Sequence, residues 1–97
     1  MDDDKIVELY LSKKEEAIVQ TEKKYGAGLR SIAYHILHDR ETAKECENDA
    51  YLETWKRIPP HEPRDYLFAF VGRIVRHLAL NICRQNRRQK RYSLWRQ

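Results

Sequence analysis

Apolar side chains recur along this chain at helical rather than alternating spacing, and four stretches stand out. Ile6, Val7, Leu9, Tyr10 and Leu11 mark a short first helix over about residues 4–11, preceded by the run Asp2-Asp3-Asp4, which suits the positive end of a helix dipole. Ser12-Lys13-Lys14-Glu15 reads as a capping box, with Ser12 bonding the amide of residue 15 and Glu15 reaching back. A second helix is therefore expected from there to about His38. Its apolar stripe is Ala17, Ile18, Thr21, Tyr25, Leu29, Ile32 and Ile36. Gly26 and Gly28, each about 1 kcal/mol less favourable in a helix than Ala, mark a close helix contact.

Asp39 is the expected N-cap of a third helix running to about Arg57, with Ala43, Cys46, Ala50, Tyr51, Thr54 and Ile58 facing inward. Pro59-Pro60 ends it, because proline lacks the donor and clashes with the preceding turn. Ile58 to Arg64 holds all three prolines and is a stiff loop. Asp65 is expected to cap a long fourth helix reaching about residue 90. On it Leu67, Phe70, Val71, Ile74, Leu78 and Ile82 fall within a sector about 120° wide. The expected fold is all-α, a compact bundle of about four helices with a long basic C-terminal helix.

Composition narrows the picture. With 97 residues, 3 glycines and 3 prolines, the chain is one small domain with little turn chemistry for a sheet. No apolar run is long enough for a bilayer. The acidic N-terminus is unlike a secretory signal, and two cysteines do not make a disulfide framework, so a reduced, cytoplasmic setting is expected. The net charge of +4 hides a division: residues 1–63 hold 10 Lys+Arg against 14 Asp+Glu, and residues 64–97 hold 9 against 1. The basic end is suited to a polyanion, against the alternative of a solvated tail.

On the fourth helix Arg73, Arg76, Arg84, Arg87 and Arg91 gather away from the apolar sector, a track for phosphates. His77 and Asn81 lie between the two faces, one turn apart. Asn81 and the adjacent Arg76 have side chains shaped for base edges, while His77 reads equally well as a plain surface histidine. The outward face of the third helix holds Glu41, Glu45, Asn48, Asp49 and Lys56 around Leu52. An apolar residue with a polar rim is either a small protein-binding patch or an ordinary exposed leucine. Neither His35 and His38 nor Cys46 and Cys83 have zinc-type spacing, and no glycine-rich phosphate loop or nucleophile elbow is present. No metal, cofactor or catalysed reaction is expected, and Cys46 and Cys83 read as small core residues.

The segments Ala43 to Trp55 and Leu67 to Arg88, in that order, resemble conserved region 2 of the sigma-70 family of bacterial transcription initiation factors, in its extracytoplasmic-function branch. The resemblance covers about residues 12–91. It implies that the acid-rich third helix docks on the clamp coiled coil of the largest subunit of core RNA polymerase, through Glu45, Asn48, Asp49, Leu52 and Trp55. It also implies that the fourth helix and the loop Pro59 to Asp65 recognise the promoter minus-ten element and hold flipped bases of the non-template strand. The residues for that role are Arg64, Phe70, Arg73, Arg76, His77, Asn81 and Arg84, with Arg87, Arg88 and Arg91 on the phosphates. Phe70 stands where the family usually has Trp and His77 where it commonly has Asn, so base preference does not carry over. Phe70 also sits at the edge of the apolar sector, where a core role competes with a DNA wedge.

On this reading residues 1–91 form the region 2-like domain, and residues 92–97 begin a linker to a C-terminal domain for the minus-thirty-five element, absent from this chain. An anti-sigma factor is a further partner of the family. Two rivals stand beside it: a general helical nucleic-acid-binding module without polymerase contact, and a helical adaptor whose basic face meets an acidic protein.

Overall fold

The computed structural model describes residues 1–95, with side chains through Arg87. It consists of α1 (Asp3–Leu11), α2 (Glu16–Leu37), α3 (Arg40–Arg57) and α4 (Leu67–Trp95). No strand occurs among the described residues. The fold is all-α, with α2, α3 and α4 packed on one another in all three pairings and α1 laid against α2. None of the described helices is long and apolar enough to cross a membrane.

In α1, Asp2 is the N-cap and accepts from the Lys5 amide at 2.9 Å. The helix buries Ile6, Val7 and Tyr10 completely. Tyr10 Oη hydrogen-bonds Thr21 Oγ1 on α2 at 2.7 Å, and burial pushes its phenol up to about 12.

The junction of α1 and α2 corrects the expected capping box. Ser12 is the C-cap of α1, its N–H donating to the Glu8 carbonyl at 3.0 Å. Lys13 then takes φ 54°, and α2 begins at Glu16 after Glu15, which makes no side-chain cap bond. The physical reason is competition: with Ser12 closing the last turn of α1, its backbone cannot also take the extended conformation of an N-cap. The second helix otherwise follows its stripe and ends at His38, a C-cap with φ 56°. Asp39 caps α3 as expected, accepting from the Thr42 amide at 2.9 Å. That bond and one from the Thr42 hydroxyl hold its carboxyl below the usual range.

All six residues expected to face inward on α3 are buried. Glu47 joins them at 0% exposure, a position the hydrophobic pattern does not mark. Its carboxylate accepts from the Tyr51 hydroxyl, from Arg30 at 3.3 Å and from Lys44 at 3.3 Å. Burial and this carboxylate raise the Tyr51 phenol well above its ordinary value.

The face of α4 that enters the core is shifted from the expected one. Leu67, Val71 and Ile74 are buried together with Val75 and Ala79, while Phe70, Leu78 and Ile82 are half-buried. The helix is flanked on one side by α2 and on the other by α3, so a wider arc is covered than one stripe. Phe70 falls between the two roles that competed for it: it packs against the core only in part, with its ring beside those of His61 and Tyr66. Asp65 does not supply the cap: the first helical bond of α4 runs from the Phe70 amide to the Tyr66 carbonyl at 2.9 Å. The side chains of Arg88 and Arg91, and those of the expected linker 92–97, lie outside the described part.

Candidate functional site

Two surfaces hold most of the residues singled out from the sequence whose side chains are described. The first lies on α3, where Glu45, Asn48, Asp49 and Leu52 are all exposed, Leu52 at 56%. Their spacing of three, four and seven residues places them on one stripe. Leu52 is therefore an apolar side chain on an acidic, solvent-facing helix surface rather than a core residue. Trp55 differs from them. It is half-buried and turned toward α1, its ring 6.4 Å from that of Tyr10 in an edge contact. The Lys13 ammonium sits 4.9 Å from the indole centroid.

The second surface begins where the α3–α4 loop meets α4. A cleft of about 340 Å³ is lined by Arg57, His61, Tyr66, Phe70, Arg73, Ile74 and His77. The Phe70 ring is 5.6 Å from that of His61 and 6.3 Å from that of Tyr66, and Tyr66 is 53% exposed. A smaller cleft of about 280 Å³ follows along α4, lined by His77, Leu80, Asn81 and Arg84. At 100° per residue, Phe70, Arg73, His77, Asn81 and Arg84 span about 80° of the helix, so five of the expected residues share one stripe. Arg76 and Arg87 are exposed on its flank.

This arrangement suits a single-stranded nucleic acid. Tilted and edge-to-face rings at the mouth of the cleft can present a π-face to an unpaired base, and the adjoining guanidinium groups can meet phosphates. Three contributors escaped the reading of individual residues: Arg57 at the end of α3, His61 between the prolines, and Tyr66 just before α4. The aromatic and basic character of this segment was visible. Its convergence on Phe70 depends on how the loop folds back.

Arg64 is placed differently from the expectation. Its guanidinium donates to Asp4 at 2.5 Å, to Glu8 at 2.6 Å and to Glu62 at 3.0 Å, and these carboxylates raise its pKa further. It faces α1 instead of the cleft. Cys46 is buried, its Sγ–H donating to the Val75 carbonyl at 3.4 Å. Among the described residues no group of three or more His, Cys, Asp and Glu is placed to hold a metal ion.

Compared with known proteins, the chain matches the Sigma-70 region 2 family over residues 23–89, more than half its length. No curated protein and no solved structure matches it. The matched span holds most of α2, all of α3, the proline loop and most of α4, and so both surfaces described above. The chain belongs to the Sigma-70 region 2 family, a domain of transcription initiation factors and not an enzyme class.

Proposed function

We propose that this domain, of the extracytoplasmic-function type, docks on core RNA polymerase through the exposed stripe of α3 and captures the melted non-template strand of the minus-ten element at the cleft between loop and α4. In this reading Leu52 is the apolar anchor on the clamp coiled coil, and Glu45, Asn48 and Asp49 form its polar rim. Trp55 supports the stripe from the side of α1. Phe70, His61 and Tyr66 stack on an unpaired base, and Arg73 and Arg84 meet the backbone. Arg76, His77 and Asn81 read base edges, with Arg87, Arg88 and Arg91 on phosphates further along. The domain would act wherever the polymerase acts, and an anti-sigma factor would compete for one or both surfaces.

The observation that carries the proposal is the ring cluster of His61, Tyr66 and Phe70 flanked by Arg57 and Arg73, in a chain of this family. The test is capture of core polymerase by the domain, together with fluorescence anisotropy on minus-ten non-template strands, scrambled strands and duplexes. Polymerase capture and a preference for the single strand support the reading. Preference for duplex with no polymerase capture leaves a general helical nucleic-acid-binding module in its place.

A further inference from the structure

We infer that residues 3–13, α1 and the turn after it, form a clasp that fixes the α3–α4 loop in the conformation for strand capture. Lys13, Arg64, Asp4 and Glu8 are then positioning residues, and Arg64 is not a DNA contact. This rests on the strand-capture reading and adds to it a part of the chain that precedes the matched span 23–89.

The clasp grips the loop at both ends. At its start, Lys13 Nζ donates to the Trp55 carbonyl at 2.6 Å and to the Ile58 carbonyl at 2.9 Å, filling acceptors at the C-terminus of α3 where a cation is favoured. At its end, Arg64 is held by Asp4 and Glu8 on α1. His61 lies between the two grips, and Tyr66 follows two residues after the second. α1 is itself tied to α2: Asp3 accepts from Lys24 at 2.8 Å and from the Tyr25 hydroxyl at 2.8 Å.

Within the loop the backbone bonds are few, running from His61 to Arg57 at 2.9 Å, from Arg64 to Glu62 at 2.8 Å and from Tyr66 to Pro63 at 3.4 Å. Beyond the stiffness of its prolines and the burial of Ile58 and Pro63, its placement leans on groups outside it. A single exposed ion pair is worth little, but two grips on opposite ends restrict the segment as a unit. Three carboxylates around one guanidinium also leave that corner negative, which disfavours a phosphate there.

Removing the acids separates the two roles by sign at high salt, where the general gain from two fewer carboxylates is screened. If Arg64 were a phosphate contact masked by α1, the double variant Asp4→Asn/Glu8→Gln would free it and bind nucleic acid more tightly. If the clasp positions the loop, the same variant binds more weakly: a loop in the competent conformation one-tenth of the time raises the apparent Kd about tenfold. Lys13→Asn should act in the same direction, because Asn tolerates the left-handed backbone and lacks the ammonium.

The experiment measures anisotropy of a short fluorescein-labelled single-stranded pool of random sequence with the full chain and core polymerase at high salt, where the two-charge difference of the variant is screened, alongside amide hydrogen exchange and polymerase capture. Expected for Asp4→Asn/Glu8→Gln are weaker strand binding, faster exchange at His61, Arg64 and Tyr66, unchanged exchange in the α2 core and unchanged polymerase capture. Unchanged exchange at the three loop amides, or equal or tighter strand binding, overturns the inference. If the unmodified chain captures no strand even with polymerase present, the strand-capture reading has failed, and the exchange result alone decides whether α1 holds the loop.

Discussion

Glu47 on α3 and Gly26 on α2 occupy one shared space: a Cβ on Gly26 would stand 3.1 Å from Glu47 Oε2. The buried carboxylate cannot swing away without leaving the Tyr51 hydroxyl, Arg30 and Lys44. Gly28 is a contrast, because the nearest atom to its would-be Cβ is Phe68 Cε1 at 3.1 Å, and Phe68 is 38% exposed and has room to turn. Gly26→Ala should therefore lose about 1–2 kcal/mol, overpacking outweighing the helix-propensity gain. Gly28→Ala should change stability little, or raise it by up to about 1 kcal/mol. Urea denaturation of the two variants makes the comparison, and a stabilised Gly26→Ala would show that Glu47 can yield.

The α3 stripe offers a separation of folding from docking. Leu52→Asp and Asp49→Arg fall on exposed positions and should leave helicity unchanged, with stability moving by about 0.5 kcal/mol or less. Each should abolish capture of core polymerase, since a charge placed against an interface costs several kcal/mol, on the order of a hundredfold in affinity or more. Circular dichroism and a pull-down check both halves. Normal capture by both variants would remove α3 from the docking surface.

Phe70 is half-buried in the cleft, so Phe70→Ala should cost less than a core aromatic, about 1–2 kcal/mol instead of about 3–5. Promoter opening should fall more than the stability change accounts for. Thermal melts beside an open-complex assay decide it. A loss of several kcal/mol would place the ring in the core after all.

Along α4 the phosphate and base roles respond differently to salt and sequence. Arg84→Ala and Arg87→Ala should weaken binding to any single strand alike and lower the salt slope by about 0.7 each. Replacing His77 or Asn81 should shift preference among minus-ten sequences by about 1–3 kcal/mol per lost bidentate contact. Anisotropy across a salt series measures both. A uniform salt-dependent loss from His77→Ala and Asn81→Ala would reduce them to generic contacts.

Burial holds the Tyr10 phenol up to about 12 from 10.0 and the Cys46 thiol up to about 11 from 9.0. Between about pH 9 and 12 the folded state binds more protons than the unfolded one. Stability is therefore complete below that window and falls as pH rises through it. For the fully buried Tyr10 the loss approaches about 2–3 kcal/mol. Chemical denaturation at stepped pH should show the decline, and Tyr10→Phe should flatten it above pH 10. An unchanged slope in that variant would assign the alkaline loss to other groups.

The four helices, the cap at Asp39, the inward face of α3 and the outward position of Leu52 were legible in the sequence, because each depends on spacing along one helix and on local capping chemistry. The basic stripe of α4 was legible for the same reason. Tertiary packing decided what spacing cannot carry. Ser12 had two local options, and the one that closes α1 prevailed because burial of Tyr10 against Thr21 fixes where α1 must end. Glu47 looks like another acid on a charged helix, and only the space opposite Gly26 and the donors on α2 and α3 make it a buried residue. Arg64 carries the charge of a DNA contact, yet the fold sets Asp4 and Glu8, 60 and 56 positions away, within bonding reach. Periodicity reports which side of its own helix a residue occupies. What stands opposite is a property of the assembled bundle, where an uncompensated carboxylate or guanidinium takes the partner that packing brings to it.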